Sequence, residues 1–112
     1  MIELSATEAI QKIRAGEITS EELVQAYLDR IDQVDGEIEA WAHLEPEHAL
    51  GQARMLDAQR AAGGPVGPLH GLPVGVKDIV DTSDFPTENG TKLHAGRTPS
   101  DDATLVARLR QA

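Results

Sequence analysis

A chain of 112 residues, 40 % hydrophobic and 26 % charged, fits one modest domain, and at that size folding buries roughly 65 % of the surface an extended chain exposes. Only three aromatics are present, Tyr27, Trp41 and Phe85, so small aliphatics must fill the core, and the lack of cysteine excludes disulfides and thiolate metal sites. The net charge of -9 comes from the front of the chain, where residues 1–48 carry 12 acidic against 3 basic side chains while residues 49–112 carry 7 against 7; phosphate attraction is thus reversed in sign, and neither nucleic acid nor an anionic membrane is an expected partner. No apolar run approaches the ~18 residues of a membrane span and no charged-then-apolar leader opens the chain, which makes the cytoplasm the default location.

Ser5-Ala-Thr-Glu8 is a capping box. It predicts a helix with Ala6, Ala9, Ile10 and Ile13 on one face, stopped by a left-handed Gly16. Thr19-Ser-Glu-Glu22 repeats the signal and opens a longer helix striped by Leu23, Tyr27, Ile31 and Val34, which Asp35-Gly36 is expected to break. Residues 1–36 thus read as a helical hairpin. From Ile38 to Leu44 apolar and polar residues alternate, the pattern of a half-buried strand. Pro46 suits the first position of a third helix, with Ala49, Leu50, Ala53 and Leu56 inward and an end at Gly63-Gly64.

Leu72 to Val80 is a short apolar run bounded by Gly and Pro, which predicts a strand buried on both faces and parallel to the first. Residues 37–112 then read as strand, helix, strand, loop and helix. The expected fold class is α/β, with helices packed on a mixed sheet. The loop at 81–100 is long enough to be a binding loop, and Ser100 is placed to cap a last helix with Asp101 and Asp102 in its first turn and Leu105, Val106 and Leu109 inward.

Lys77 stands inside the second apolar run. An ammonium carried into a buried strand loses solvation, which favours the neutral amine and fits lysine for work as a base. The bland alternative is a lysine that snorkels its head into water. Alternation puts Gly75, Lys77 and Ile79 on one face and Val74, Val76 and Asp78 on the other, so Asp78 is not a same-face partner of Lys77 and reads as structural. A phosphate loop is excluded by spacing, since Gly71 and Gly75 are too close and Asp78 replaces the hydroxyl that should follow the lysine. Asp78, Asp81 and Asp84, with His70 and His94 nearby in sequence, lack the calcium-loop pattern and read as solvated turn carboxylates; no metal site is expected, and His43 and His48 receive no role. Thr87-Glu-Asn-Gly90-Thr91 reads as a turn in which Asn89-Gly90 accept positive φ.

Gly71-Leu-Pro-Val-Gly-Val-Lys77-Asp78, preceded by Gly67-Pro-Leu-His70 and followed by Asp81-Thr82 and by Thr87-Glu-Asn-Gly-Thr91, resembles the amidase signature family of serine hydrolases. The opening residues and Arg97 to Arg110 also look like that family's amino-terminal third. The resemblance implies cleavage of a carbon–nitrogen amide bond through a serine acyl-enzyme, with Lys77 in the place of the lysine that partners a cis-peptide serine. It implies Thr87, Gly90 and Thr91 as cleft-lining or substrate-contacting residues, a small-molecule amide as substrate and no cofactor. The family's glycine- and serine-rich segment and nucleophile loop have no counterpart here, and Ser5, Ser20, Ser83 and Ser100 lack that context, so the 112-residue chain by itself is expected to be inactive. Two alternatives stand beside the hydrolase: a non-catalytic module that associates with itself or a partner through an exposed sheet edge, and a fragment of a transfer-RNA-linked amidotransferase.

Overall fold

The capping residues at the front of the chain fix where its first two helices begin. In the computed structural model, which describes residues 1–112, Ser5 Oγ accepts from the Glu8 amide at 3.3 Å and the Glu8 carboxylate accepts from the Ser5 amide at 2.8 Å, opening α1 (Ala6–Ala15). The Ser5 hydroxyl and amide hold the Glu8 carboxyl below the usual range. Thr19 and Glu22 repeat the box at the start of α2 (Ser20–Ile38), with bonds of 3.0 and 2.8 Å. α1 ends on Gly16 at φ 73, where the Gly16 and Glu17 amides reach back to the Ile13 and Lys12 carbonyls. α3 (Pro46–Ala61) takes Pro46 at its first position and closes in the same way, through Gly63 at φ 73 and bonds from the Gly63 and Gly64 amides to Arg60 and Gln59.

The chain divides into two compact units, Met1–Pro73 and Val74–Ala112. In the first, α2 is covered on two sides. Leu23 packs with Ala9 and Ile13 of α1, joined by Leu4, Ile18, Tyr27 and Leu72, while Val24 packs with Leu50 and Ala53 of α3, joined by Leu28 and Ala49. Successive helical residues point about 100° apart, so Leu23 and Val24 serve different neighbours. α3 also caps α2 directly, because the Asp57 carboxylate accepts from the Ser20 and Glu21 amides at 2.9 and 3.0 Å and Arg54 pairs with Glu21 at 2.6 Å. Gly71 lies at φ 79 against fully buried Ser20, where a Cβ would collide with the serine side chain.

The expected α/β fold is corrected: the structure holds helices and no strand. Over 38–44, α2 runs on through Gly36 to Ile38, Glu39 turns left-handed at φ 53, and the Asp35 carboxylate accepts from the Ala40 amide at 2.8 Å, which curls the chain out of extended pairing. A glycine inside a helix costs about 1 kcal/mol relative to alanine, too little to end a helix that packing holds. Over 72–80 no ladder forms because no second strand is present to exchange hydrogen bonds, and Val74, Val76 and Ile79 stand exposed instead of buried. The expectation of association through a sheet edge therefore loses its sheet, though the apolar side chains remain.

The second unit is mostly irregular chain, with a 3-10 turn at Lys92–His94 and α4 (Thr104–Gln111). α4 starts later than Ser100 implies and has Ala103 as its N-cap, because Asp102 is committed elsewhere. Its carboxylate accepts from the Ser83 amide at 2.8 Å and from Arg110 at 2.8 Å, while the Ala103 amide bonds the Asp81 carbonyl. Arg97 grips Asp81 through both guanidinium nitrogens at 2.7 and 2.9 Å, and Arg110 also bonds Asp84. Thr82, Thr87 and Val106 are the buried side chains of this unit.

Two outcomes are expected. Gly36→Ala should raise stability by about 0.5–1 kcal/mol, since Gly36 is an interior helical position where a Cβ meets nothing within 4 Å; urea unfolding checks it, and an unchanged midpoint counts against a helix through residue 36. The second concerns acid. The Arg97 guanidinium holds Asp81, and the Ser83 amide followed by Arg110 holds Asp102, below the ordinary aspartate value of 3.8. Stability from a lowered carboxyl is complete above the unfolded value and is lost as pH falls through the folded one. The second unit should therefore loosen as pH drops below 3.8, with the amide resonances of Ser83, Thr87 and Arg97 losing dispersion; retention of their shifts at pH 2 contradicts this.

Candidate functional site

Lys77 lies on an unladdered stretch, exposed to solvent, and its carbonyl accepts from the Val80 amide at 2.9 Å. The next residue is tied down far more strongly. The Asp78 carboxylate accepts from the Glu88 amide at 2.8 Å and the Gly90 amide at 3.2 Å, and its own carbonyl accepts from the Asn89 amide at 2.9 Å. Asn89 at φ 55 and Gly90 at φ 64 are both left-handed, and the turn they make aims the Glu88 and Gly90 amides into one concavity, a nest for an anion. A side-chain anion from twelve residues earlier fills it. The dipeptide Asn-Gly carries that geometry because both residues tolerate positive φ.

The rest of the loop is closed around this turn. Glu88 accepts from the Gly96 amide at 2.6 Å, and the Thr91 amide bonds the Glu88 carbonyl at 3.1 Å. Thr91 Oγ1 accepts from the Leu93 amide at 3.3 Å, capping the 3-10 turn. Thr87 is 1 % exposed; its amide bonds the Arg97 carbonyl at 2.8 Å and its carbonyl accepts from Arg97 Nη1 at 3.3 Å. Asn89 Nδ2 meets His94 Nδ1 at 2.8 Å.

Of the residues singled out from sequence, Asp78 and Gly90 touch directly. Thr87 and Thr91 flank the same turn, with Thr87 buried and Gly90 exposed, and Lys77 joins it through one peptide bond. Asp81 and Asp84, expected as solvated carboxylates, are instead partners of Arg97 and Arg110. His70 Nε2 bonds the Leu56 carbonyl at 2.9 Å and His94 Nδ1 meets Asn89, each within its own unit. Sequence reasoning missed Arg97 as the residue that closes the loop, and no spacing signal points to it, because its partners Asp81 and Thr87 lie across irregular chain. No helix is long and apolar enough to cross a membrane.

Comparison with known proteins extends what the loop shows. The amidase family model matches residues 22–112. A glutamyl-tRNA(Gln) amidotransferase subunit from Salinispora arenicola (strain CNS-205) is 48 % identical over 109 residues, covering 97 % of this chain and 22 % of that protein. The protein of the same name from Thermobifida fusca (strain YX) is 47 % identical over 112 residues, 100 % of this chain and 22 % of its own length. Among solved structures, the peptide amidase of Stenotrophomonas maltophilia superposes with a TM-score of 0.88 at 38 % identity, over 96 % of this chain and 22 % of that one. A bacterial aryl acylamidase of the amidase signature enzymes superposes with a TM-score of 0.86 at 25 % identity, over 96 % and 23 %. The chain thus spans about 22 % of the length of the curated relatives it matches. With the Gly-Leu-Pro-Val-Gly-Val-Lys-Asp run inside the matched region, the chain belongs to the amidase signature family.

Proposed function

We propose that these residues supply the lysine of a serine–cis-serine–lysine site that processes a carbon–nitrogen amide bond, and that the whole protein performs the chemistry. The observation that carries this reading is Lys77 in its Val-Lys-Asp setting within a region matched by the amidase family. In the proposed reaction the unprotonated Lys77 amine takes a proton through the cis-peptide serine as the nucleophilic serine attacks the carbonyl. The proton then returns to the departing nitrogen, which leaves as ammonia or an amine, and water hydrolyses the acyl-enzyme. Gly90 and Thr91 would form part of one wall of the cleft, with Thr87 buried beneath them.

A second reading is favoured by the relatives' names. Identity of 48 % and 47 % to glutamyl-tRNA(Gln) amidotransferase subunits supports a component of an amidotransferase that frees ammonia from an amide donor. On that reading the protein has subunit partners and works beside a transfer RNA, against the expectation of no nucleic acid. The charge of -9 favours a phosphate grip that lies outside these 112 residues.

Lys77→Ala in the whole protein should lower hydrolysis of a small amide by about 10²–10⁴-fold with unchanged circular dichroism. Retained turnover removes Lys77 from the reaction. Assaying glutamine against a peptide amide separates the branches, since the amidotransferase reading predicts glutamate and ammonia from glutamine.

A further inference from the structure

We propose that Asp78 is the positioning residue for Lys77, its carboxylate seated in the Glu88–Gly90 amide nest so that the backbone from which the lysine projects is held still. The proposal rests on the reading of Lys77 as the base. Four hydrogen bonds converge on the Lys77–Asp78 dipeptide: Glu88 and Gly90 amides to the Asp78 carboxylate, the Asn89 amide to the Asp78 carbonyl, and the Val80 amide to the Lys77 carbonyl. Two of them are charge-assisted, which makes them the stronger kind. No ladder supports this segment, so without them nothing regular would fix its direction.

The chemistry gives that restraint a purpose. A lysine amine sits at the end of a flexible four-carbon stem, so a small change in backbone direction becomes a large displacement of the nitrogen. Misplacement of a reacting group by about 1 Å costs on the order of 10²-fold in rate. In this role Asp78 acts through the chain. Asparagine at 78 would keep the shape but offer one acceptor to two amides, with its own NH2 facing the second. Glutamate would keep both acceptors at the cost of a longer reach.

The deciding experiment compares Lys77→Ala, Asp78→Asn and Asp78→Glu in the whole protein on one small amide, with rates expressed per folded molecule. In parallel, the Glu88 and Gly90 amide shifts are followed by NMR. Asp78→Asn is expected to lower kcat by about 10–10²-fold with KM changed far less, and to displace the ionisation seen in kcat against pH, while Asp78→Glu recovers part of the rate. An unchanged kcat and pH profile per folded molecule, with Lys77→Ala inactive, overturns the positioning role and leaves the base assignment standing. Activity retained by Lys77→Ala overturns the base assignment itself. Should Asp78→Asn not fold, Asp78→Ser, which offers the two amides a single neutral acceptor, decides by the same criteria: reduced kcat at constant KM supports positioning, and wild-type kcat overturns it.

Discussion

A backbone amide that no helix or ladder pairs needs another acceptor, and in this protein that acceptor is repeatedly a carboxylate. Glu8 and Glu22 meet the amides that open α1 and α2, Asp57 meets two more at the head of α2, and Asp35 catches the chain as it leaves that helix. Asp78, Glu88 and Asp102 do the same across the irregular loop of the second unit. The acidity of the chain therefore has a structural use that a count of surface charges hides. Exposed pairs such as Lys12–Glu17 contribute little by comparison, being screened and entropically costly.

The two units answer that constraint differently. Residues 1–73 put most amides into helices and need carboxylates only at the ends, so apolar contact through Leu23 and Val24 organises them. Residues 74–112 bury few apolar side chains and depend on Asp78, Asp81 and Asp102 with Arg97 and Arg110. A loop built from polar bonds is specific in shape, because each bond has direction. Lys77 lies in that polar unit, where direction counts for more than bulk.

Family membership and local geometry support each other without being the same kind of statement. Likeness to amidases and amidotransferase subunits says which family the Val-Lys-Asp run belongs to. The nest at Glu88–Gly90 says how Asp78 is held.

By itself the sequence determined what depends on neighbours a few residues apart. Both capping boxes, the left-handed stop at Gly16, Pro46 at the head of α3, and Ala9, Ile13, Leu23, Leu50 and Ala53 as core positions follow from local rules of caps and helical period. The Val-Lys-Asp motif and its family were legible for the same reason, being contiguous. Tertiary structure alone decided the rest. Alternation at 38–44 and an apolar run at 72–80 are compatible with strands, yet a strand exists only when a second chain segment supplies the ladder, and none does here. Whether Asp35-Gly36 ends a helix, whether Asp102 lies in the first turn of one, and whether Asp78 faces solvent or a nest depend on which distant amides and guanidinium groups reach them first, and no spacing in the sequence records that.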